Sequence, residues 1–420
     1  MAIACSPQPD LHRILRRLDF PQSAKEALAC LEQLCLPLAH TRPPTSKQLD
    51  YIGEIIDEFV FCEIDHKGAR RKRLNPLQEL QLLEVLLGYF AAGEDKVILN
   101  TVFMMLFTPP HTPSPSPSPS PSGFARADVF TPGTATVTLS DRMRILARLV
   151  SAAVASHNLA VLNCTGVWMQ QLGCLSQHSL NLSRVFIEDY FVLNTPQSTI
   201  SSPTSYLEQL PQLAPHFASC FLTAAAELYG GIDGNRSTYI PPPMCLLYTI
   251  VNWTMPYTTD FKSTTPTPKR KHSNDIGLLL WPDYLNGALK LLLIPAIPVK
   301  LEKAKETKSA WNENSYYSQL HSSLLESMQE RSVLQSQQQL LQAEVISPRH
   351  LVALVRGLQE SCAKNNSNNE KIQLSLDRLA QSVQVAQSSG CLYGNTHELM
   401  QALRTLPYNR LLDIVVRRYS

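Results

Sequence analysis

A chain of 420 residues with 44% apolar and 17% charged side chains holds enough Leu, Ile, Val and Phe for a sizeable core, which excludes wholesale disorder. Its formal net charge of +2 excludes a global field able to hold a nucleic-acid backbone, so any basic function has to be local. The ten cysteines are scattered through mostly apolar stretches without a C-x-x-C pair, a pattern of buried thiols in a reducing compartment and not of a zinc site.

At the amino terminus, MAIACSPQPD has no basic start followed by a long apolar block, so the chain is expected to begin in the cytosol without a signal peptide. Apolar residues then recur at helical spacing over 24–36, 46–62, 76–90, 96–107, 141–157 and 159–172. The helix over 76–90 is the best specified: Asn75 can cap, Pro76 suits the first helical position, and Gln78 completes a capping box three residues after Asn75. Leu80, Leu83, Leu87 and Phe90 form one stripe, which Leu77, Leu82, Leu86 and Tyr89 widen toward a helix buried on two sides. In the run Pro113-Ser-Pro-Ser-Pro-Ser-Pro-Ser-Pro121 alternate residues lack an amide donor, so 109–133 is expected to be a disordered, solvated linker. The only hint of a strand is Thr136-Val-Thr-Leu139.

Further helices are expected over 180–193, 215–229, 243–253, 275–294, 315–341, 348–363, 370–388 and 396–416, the last broken at Pro407. The Thr/Pro/basic segment 258–274 and the polar segment 306–314 separate them. The most apolar stretch, Leu278 to Val299, is broken by Asp283, Asn286 and Lys290, whereas a membrane span needs about 20 mostly apolar residues; buried helices are expected there. The expected fold is therefore all-α: a HEAT/ARM-like helical-repeat solenoid of antiparallel helix pairs with disordered Pro/Ser-rich insertions. Its regions are 1–108, a linker at 109–133, 134–257, a linker at 258–274, a Leu-rich segment at 275–305 and 306–420. No sequence period is detectable, so any repeat is structural only.

The phosphate-binding, nucleophile-elbow, zinc-protease, kinase and dinucleotide signatures are all absent, and no two histidines stand three or four residues apart. Neither a catalytic residue nor a cofactor or metal site is expected. Glu188 and Asp189 are adjacent, but neighbours on a helix point about 100° apart and share no site. Lys67-Gly-Ala-Arg70-Arg71-Lys72-Arg73 reads as a nuclear-import signal, a phosphate-contact patch or a solvated loop. Lys269, Arg270 and Lys271 lie in the Thr/Pro linker, the extended setting that import requires. Ser114, Ser116, Ser118 and Ser120 are candidates for proline-directed phosphorylation, with a plain spacer as the alternative.

Two blocks carry a family resemblance: Arg73-Leu-Asn-Pro-Leu-Gln-Glu-Leu-Gln-Leu-Leu-Glu84, and Ile372-Gln-Leu-Ser-Leu-Asp-Arg-Leu-Ala-Gln381 with Gln384-Val-Ala386 and Ser389-Gly390. They resemble the hallmark stretches of the Integrator complex subunit 15 family. Weaker matches follow the same order, among them Glu58-Phe-Val-Phe61, Asp189-Tyr190, Ile240-Pro-Pro242 and Leu406-Pro407. The Ser-Pro run after Pro109 and the stretch from Lys262 to Asn314 depart from the family pattern. The resemblance implies a non-catalytic nuclear scaffold that joins the accessory module, Integrator subunits 10, 13 and 14, to the core of the complex. It further implies a part in snRNA 3′-end processing and RNA polymerase II attenuation, with the polymerase an indirect partner. No small-molecule substrate, membrane or direct nucleic-acid contact is expected. The reading from a different class is a nucleic-acid adaptor that uses Lys67 to Arg73.

Patterning alone suggests where partners bind. The helix over 370–388 has an apolar stripe of Ile372, Leu376, Leu379, Val383 and Ala386, while Leu374 and Val385 sit off it. These two face either a partner or a neighbouring helix, with Asp377 and Arg378 as polar candidates beside them.

Overall fold

A computed structural model of the chain describes residues 9–40, 46–65, 70–108, 139–193, 205–229, 242–254, 283–293, 316–326, 328–329, 348–364, 370–390, 392 and 394–420. Lys67, Ser114, Ser116, Ser118, Ser120, Lys269, Arg270, Lys271 and the segments 109–133, 258–274 and 306–314 lie outside the described residues. Among the described residues regular structure is helical apart from one two-stranded sheet, and the chain divides into two compact units, Met1–Trp168 and Met169–Ser420.

The first unit opens with α1 (Pro9–Leu15), α2 (Gln22–His40) and α3 (Ser46–Ile55), which runs into a π-helical turn at Ile56–Val60. In that turn the Phe61 amide donates to the Ile56 carbonyl at 3.3 Å, and Ile56, Glu58, Phe59 and Val60 are buried. Next comes a hairpin absent from the sequence reading. β1 (Cys62–Asp65) pairs antiparallel with β2 (Arg70–Arg73), Cys62 opposite Arg73 and Glu63 opposite Lys72. β2 is a run of four cations, so it carries no apolar alternation to betray it; the Glu63–Lys72 register instead places opposite charges across the strands. The strand hint at Thr136-Val-Thr-Leu139 is corrected at its one described residue, because Leu139 begins a helix.

The capping box forms as the sequence requires. In α4 (Pro76–Ala92) the Asn75 side chain accepts from the Gln78 amide at 2.9 Å, and the Asn75 amide donates to the Gln78 side chain at 3.0 Å. The expected stripe is rotated, however. Leu77 and Leu80 are 66% and 58% exposed, and the buried face is Glu79, Leu82, Leu83, Val85, Leu86 and Phe90. Glu79 faces inward on its ion pairs to Arg144 and Arg148, and Leu77 and Leu80 lie outside that face. α5 (Lys96–Phe107), capped by Asp95, buries Phe103 and Phe107 against Phe90 and Phe61, and α6 (Leu139–Ser156) packs on both α4 and α5. α4 and α5 precede the Ser-Pro run and α6 follows it, so in sequence the run falls between packed helices of one unit. Closure entropy grows only slowly with loop length, which is how a long insertion is tolerated there. α7 (Leu159–Leu172) is capped by Asn158, whose amide group also reaches back to the Leu87 carbonyl at 2.9 Å.

In the second unit α8 (Gln177–Phe186) continues into a π-helical segment, Ile187–Leu193, followed by α9 (Ser205–Leu213), α10 (Pro215–Tyr229), α11 (Met244–Thr254) and α12 (Asp283–Leu292). α10 is central and packs on α8, α9 and α12. Its rings and those around it form an aromatic core: Phe186, Phe191, Phe217, Phe221 and Trp253, with the Trp253 indole donating to the Leu207 carbonyl at 2.9 Å. Residues 316–326 are helical. The unit ends in α13 (Pro348–Lys364), α14 (Glu370–Ser388), α15 (His397–Arg404) and α16 (Arg410–Tyr419), in which α13 packs on α15 and α14 on α16. The break expected at Pro407 falls between α15 and α16.

Candidate interaction surfaces

Charges in the first unit are spent on the fold. Glu79, almost fully buried, receives both guanidinium nitrogens of Arg144 at 2.5 Å and one of Arg148 at 2.8 Å, so α4 is fastened to α6. The hydrogen bond from Arg144 holds the Glu79 carboxyl below the usual glutamate range. Arg142 is buried, pairs with Asp57, donates to the Leu106 carbonyl at 3.2 Å and lies 5.1 Å over the Phe61 ring. Glu58 is buried at the π-turn with Arg16 at 2.7 Å.

Arg73, from the basic run, pairs with Asp141 at the start of α6. Arg70–Arg73 of the run form β2, Lys72 and Arg73 are exposed, and at least one of these cations already has a carboxylate. That leaves less charge for a phosphate backbone than the sequence promised. Buried cysteines are inert for the same reason of packing: desolvation pushes the Cys35 thiol up to about 11 and Cys164 up to about 12. Among the described residues no cluster of three or more His, Cys, Asp or Glu is placed to hold a metal ion. No helix among them is long and apolar enough to cross a membrane.

The residues proposed on α14 separate into two kinds. Ile372, Leu376, Leu379, Val383 and Ala386 are buried, as the stripe required. Leu374 is exposed and Val385 half-buried, which leaves Leu374 as the more accessible of the off-stripe pair. Asp377 and Arg378 hold the fold together. Asp377 accepts from the Asn409 side chain at 2.7 Å, and Arg378 donates to the Leu292 carbonyl at 3.5 Å while its burial lowers the guanidinium pKa. Beside Arg378 the buried His321 ring stands 3.5 Å from the Ser382 hydroxyl, its pKa lowered first by burial and then by the Arg378 charge.

An exposed surface that the sequence reading missed lies at α16. Asn409 caps the helix by accepting from the Leu412 amide at 2.9 Å, and its side-chain amide donates to Gln373 at 3.1 Å and to Asp377. The Gln373 side chain in turn donates to the Tyr408 carbonyl at 3.2 Å. So pinned, α16 buries Leu412, Val415 and Val416 and leaves Tyr408, Leu411 and Ile414 at 79%, 38% and 53% exposure. One signal for this is present in the sequence: five apolar residues among Leu411–Val416 are too many for one face of a short helix.

A family model described as Integrator complex subunit 15 matches residues 9–408. Integrator complex subunit 15 of Mus musculus is 29% identical over 421 residues, covering 96% of this chain and 86% of that protein. The Drosophila melanogaster protein of the same name is 29% identical over 422 residues, 96% of this chain and 94% of its own length. The Homo sapiens protein of that name is 28% identical over 430 residues, with 96% and 86% covered.

Proposed function

The chain belongs to the Integrator complex subunit 15 family, and on that premise we propose that it is a non-catalytic scaffold subunit of the nuclear Integrator complex. It joins the accessory module of subunits 10, 13 and 14 to the rest of the assembly, in snRNA 3′-end processing and in attenuation of transcription by RNA polymerase II, which it meets indirectly. Its helices stack as a HEAT/ARM-like solenoid of antiparallel pairs, and their outer faces carry the contacts. Import is assigned to Lys269, Arg270 and Lys271. Arg70, Arg71, Lys72 and Arg73 suit that task less, since they form a paired strand, whereas an import receptor takes up an extended peptide.

The observation that carries this reading is the family match across residues 9–408. It is supported by where the two strongest sequence blocks fall: one begins in β2 and continues into α4, and the other is α14, so each is a packed helix and not a catalytic loop. A tagged full chain expressed in cells is expected to recover Integrator subunits 10, 13 and 14 from nuclear extract, read by quantitative mass spectrometry. Recovery of no Integrator subunit would overturn the proposal. The nucleic-acid adaptor reading gains no support, because Arg73 is already engaged by Asp141.

A further inference from the structure

α16 is a short helix with apolar side chains on both faces. At about 100° per residue, Leu411, Ile414 and Arg418 fall within roughly 60° of one another, centred roughly 120° round the helix from Leu412, Val415 and Val416. Arg410 and Arg417 lie beside that row, both on its Ile414 side, and the exposed Tyr408 ring stands just before the extended Asn409 cap. Arg417 pairs with Asp413 one turn back at 2.8 Å. Arg418 lies 5.5 Å over the Tyr419 ring, and among the described residues no carboxylate is paired with it or with Arg410. The helix thus sets three arginines against one aspartate beside an exposed apolar row.

We propose that Tyr408, the Leu411–Ile414 row and its arginines dock an amphipathic helix of a partner protein whose apolar ridge is flanked by Asp and Glu. Side chains three residues apart form the ridge that a second helix packs against. Desolvation of Leu411, Ile414 and the Tyr408 ring gives such a partner its affinity, and Arg410 and Arg418 select carboxylates through charge-assisted hydrogen bonds. A nucleic-acid backbone would satisfy the arginines but leave the apolar row wet. The surface is also held in place before binding, because Gln373 and Asp377 of α14 fix Tyr408 and Asn409, so little ordering accompanies docking. The inference rests on the scaffold reading for the identity of the partner, another Integrator subunit, and adds its chemistry and place.

The test uses the tagged full chain carrying photoreactive benzoylphenylalanine at position 414, cross-linked in nuclear extract, with the attached peptide sequenced. It is paired with two variants, Leu411→Asp/Ile414→Asp and Arg410→Glu/Arg418→Glu, all four positions being outside the buried face. The expected cross-linked peptide comes from another Integrator subunit and has apolar residues three or four apart with carboxylates beside them. Each variant is expected to recover that subunit about ten-fold less well or worse, the loss that follows removal of hot-spot contacts, with an unchanged melting temperature. A cross-link to RNA, to a second copy of this chain or to a basic or uncharged segment overturns the proposal, as does wild-type recovery by both variants. Failure of the wild type to recover any Integrator subunit would instead sink the scaffold reading. An acidic helix of some other protein, cross-linked at position 414 and lost on charge reversal, would in that case still support this docking face.

Discussion

In the first unit the arginines of α6 reach inward onto carboxylates, whereas the last helix of the second unit turns its arginines outward beside apolar side chains. Arg142, Arg144 and Arg148 of α6 reach Asp57 and Glu79, and Arg73 reaches Asp141. Among the described residues of the second unit the ties between helices are chiefly rings and amide groups, with Lys290–Glu227 and the exposed Arg356–Glu398 as inter-helix ion pairs. The same residue type thus has two uses. Where a buried carboxylate faces it, arginine orders the fold; where no carboxylate does, beside exposed leucine and isoleucine, it is available to a partner.

If packing dominates the second unit, its largest loss comes from the aromatic core. Phe221 is buried with ring centroids at 5.1 Å from Phe186 and 6.1 Å from Trp253, and Phe221→Ala is expected to cost about 3–5 kcal/mol. Chemical denaturation at low and high salt checks this, and the loss should be the same in both. A marked salt dependence would break the contrast between the units.

Glu79→Ala should act on the first unit at about 2–3 kcal/mol, less than a wholly buried pair because Arg144 and Arg148 retain contact with water. The carboxyl's folded-state pKa is lowered by the Arg144 hydrogen bond. Its contribution is therefore full above the unfolded glutamate value of about 4.3 and is lost as pH falls through the lower folded value. Wild type and variant should converge in acid, and hydrogen exchange of α4 and α6 peptides across pH would show it. A constant gap between them would mean that Glu79 acts by packing and not by charge.

Much of this was legible in the sequence, and the exceptions have physical causes. The bounds 96–107, 159–172, 215–229 and 370–388 match their helices because each has apolar residues at helical spacing up to a clear stop. α9 was missed because Pro211 sits inside it, and α1 because seven residues hold too few turns for a period. The π-helical segments after α3 and α8 read as plain helix in the sequence, since i to i+5 hydrogen bonding over five to seven residues leaves no mark on apolar spacing. The inward-facing Glu79 of α4 and the roles of Asp377 and Arg378 depend on partners 65 and 32 or more residues away, Arg144 for Glu79 and Asn409 for Asp377, which no local pattern names.

Asn409→Ala joins the two halves of the comparison at a neutral residue. It removes the α16 cap and leaves Asp377 without the side-chain amide that donates to it, an expected loss of about 1–2 kcal/mol in thermal unfolding. Because the pinned segment carries Tyr408 and Leu411, partner recovery should fall with it even under conditions where the chain stays folded. Asn409→Ser, which keeps a capping oxygen but cannot donate as an amide to both Gln373 and Asp377, should restore part of the stability and less of the recovery.

The smallest effect on the fold is the most telling for function. Ile414 is more than half exposed and opposite the buried face, so Ile414→Ser should change stability by less than about 0.5 kcal/mol. By contrast Ile372→Ala on the buried stripe of α14 should cost about 2–5 kcal/mol. If Ile414→Ser proves as costly as a core substitution, its side chain is covered by this chain itself and the outward-facing use of arginine on α16 fails with it. If it leaves the melting curve unchanged, the apolar row adds nothing to folding, and contact with a partner is the role left for it.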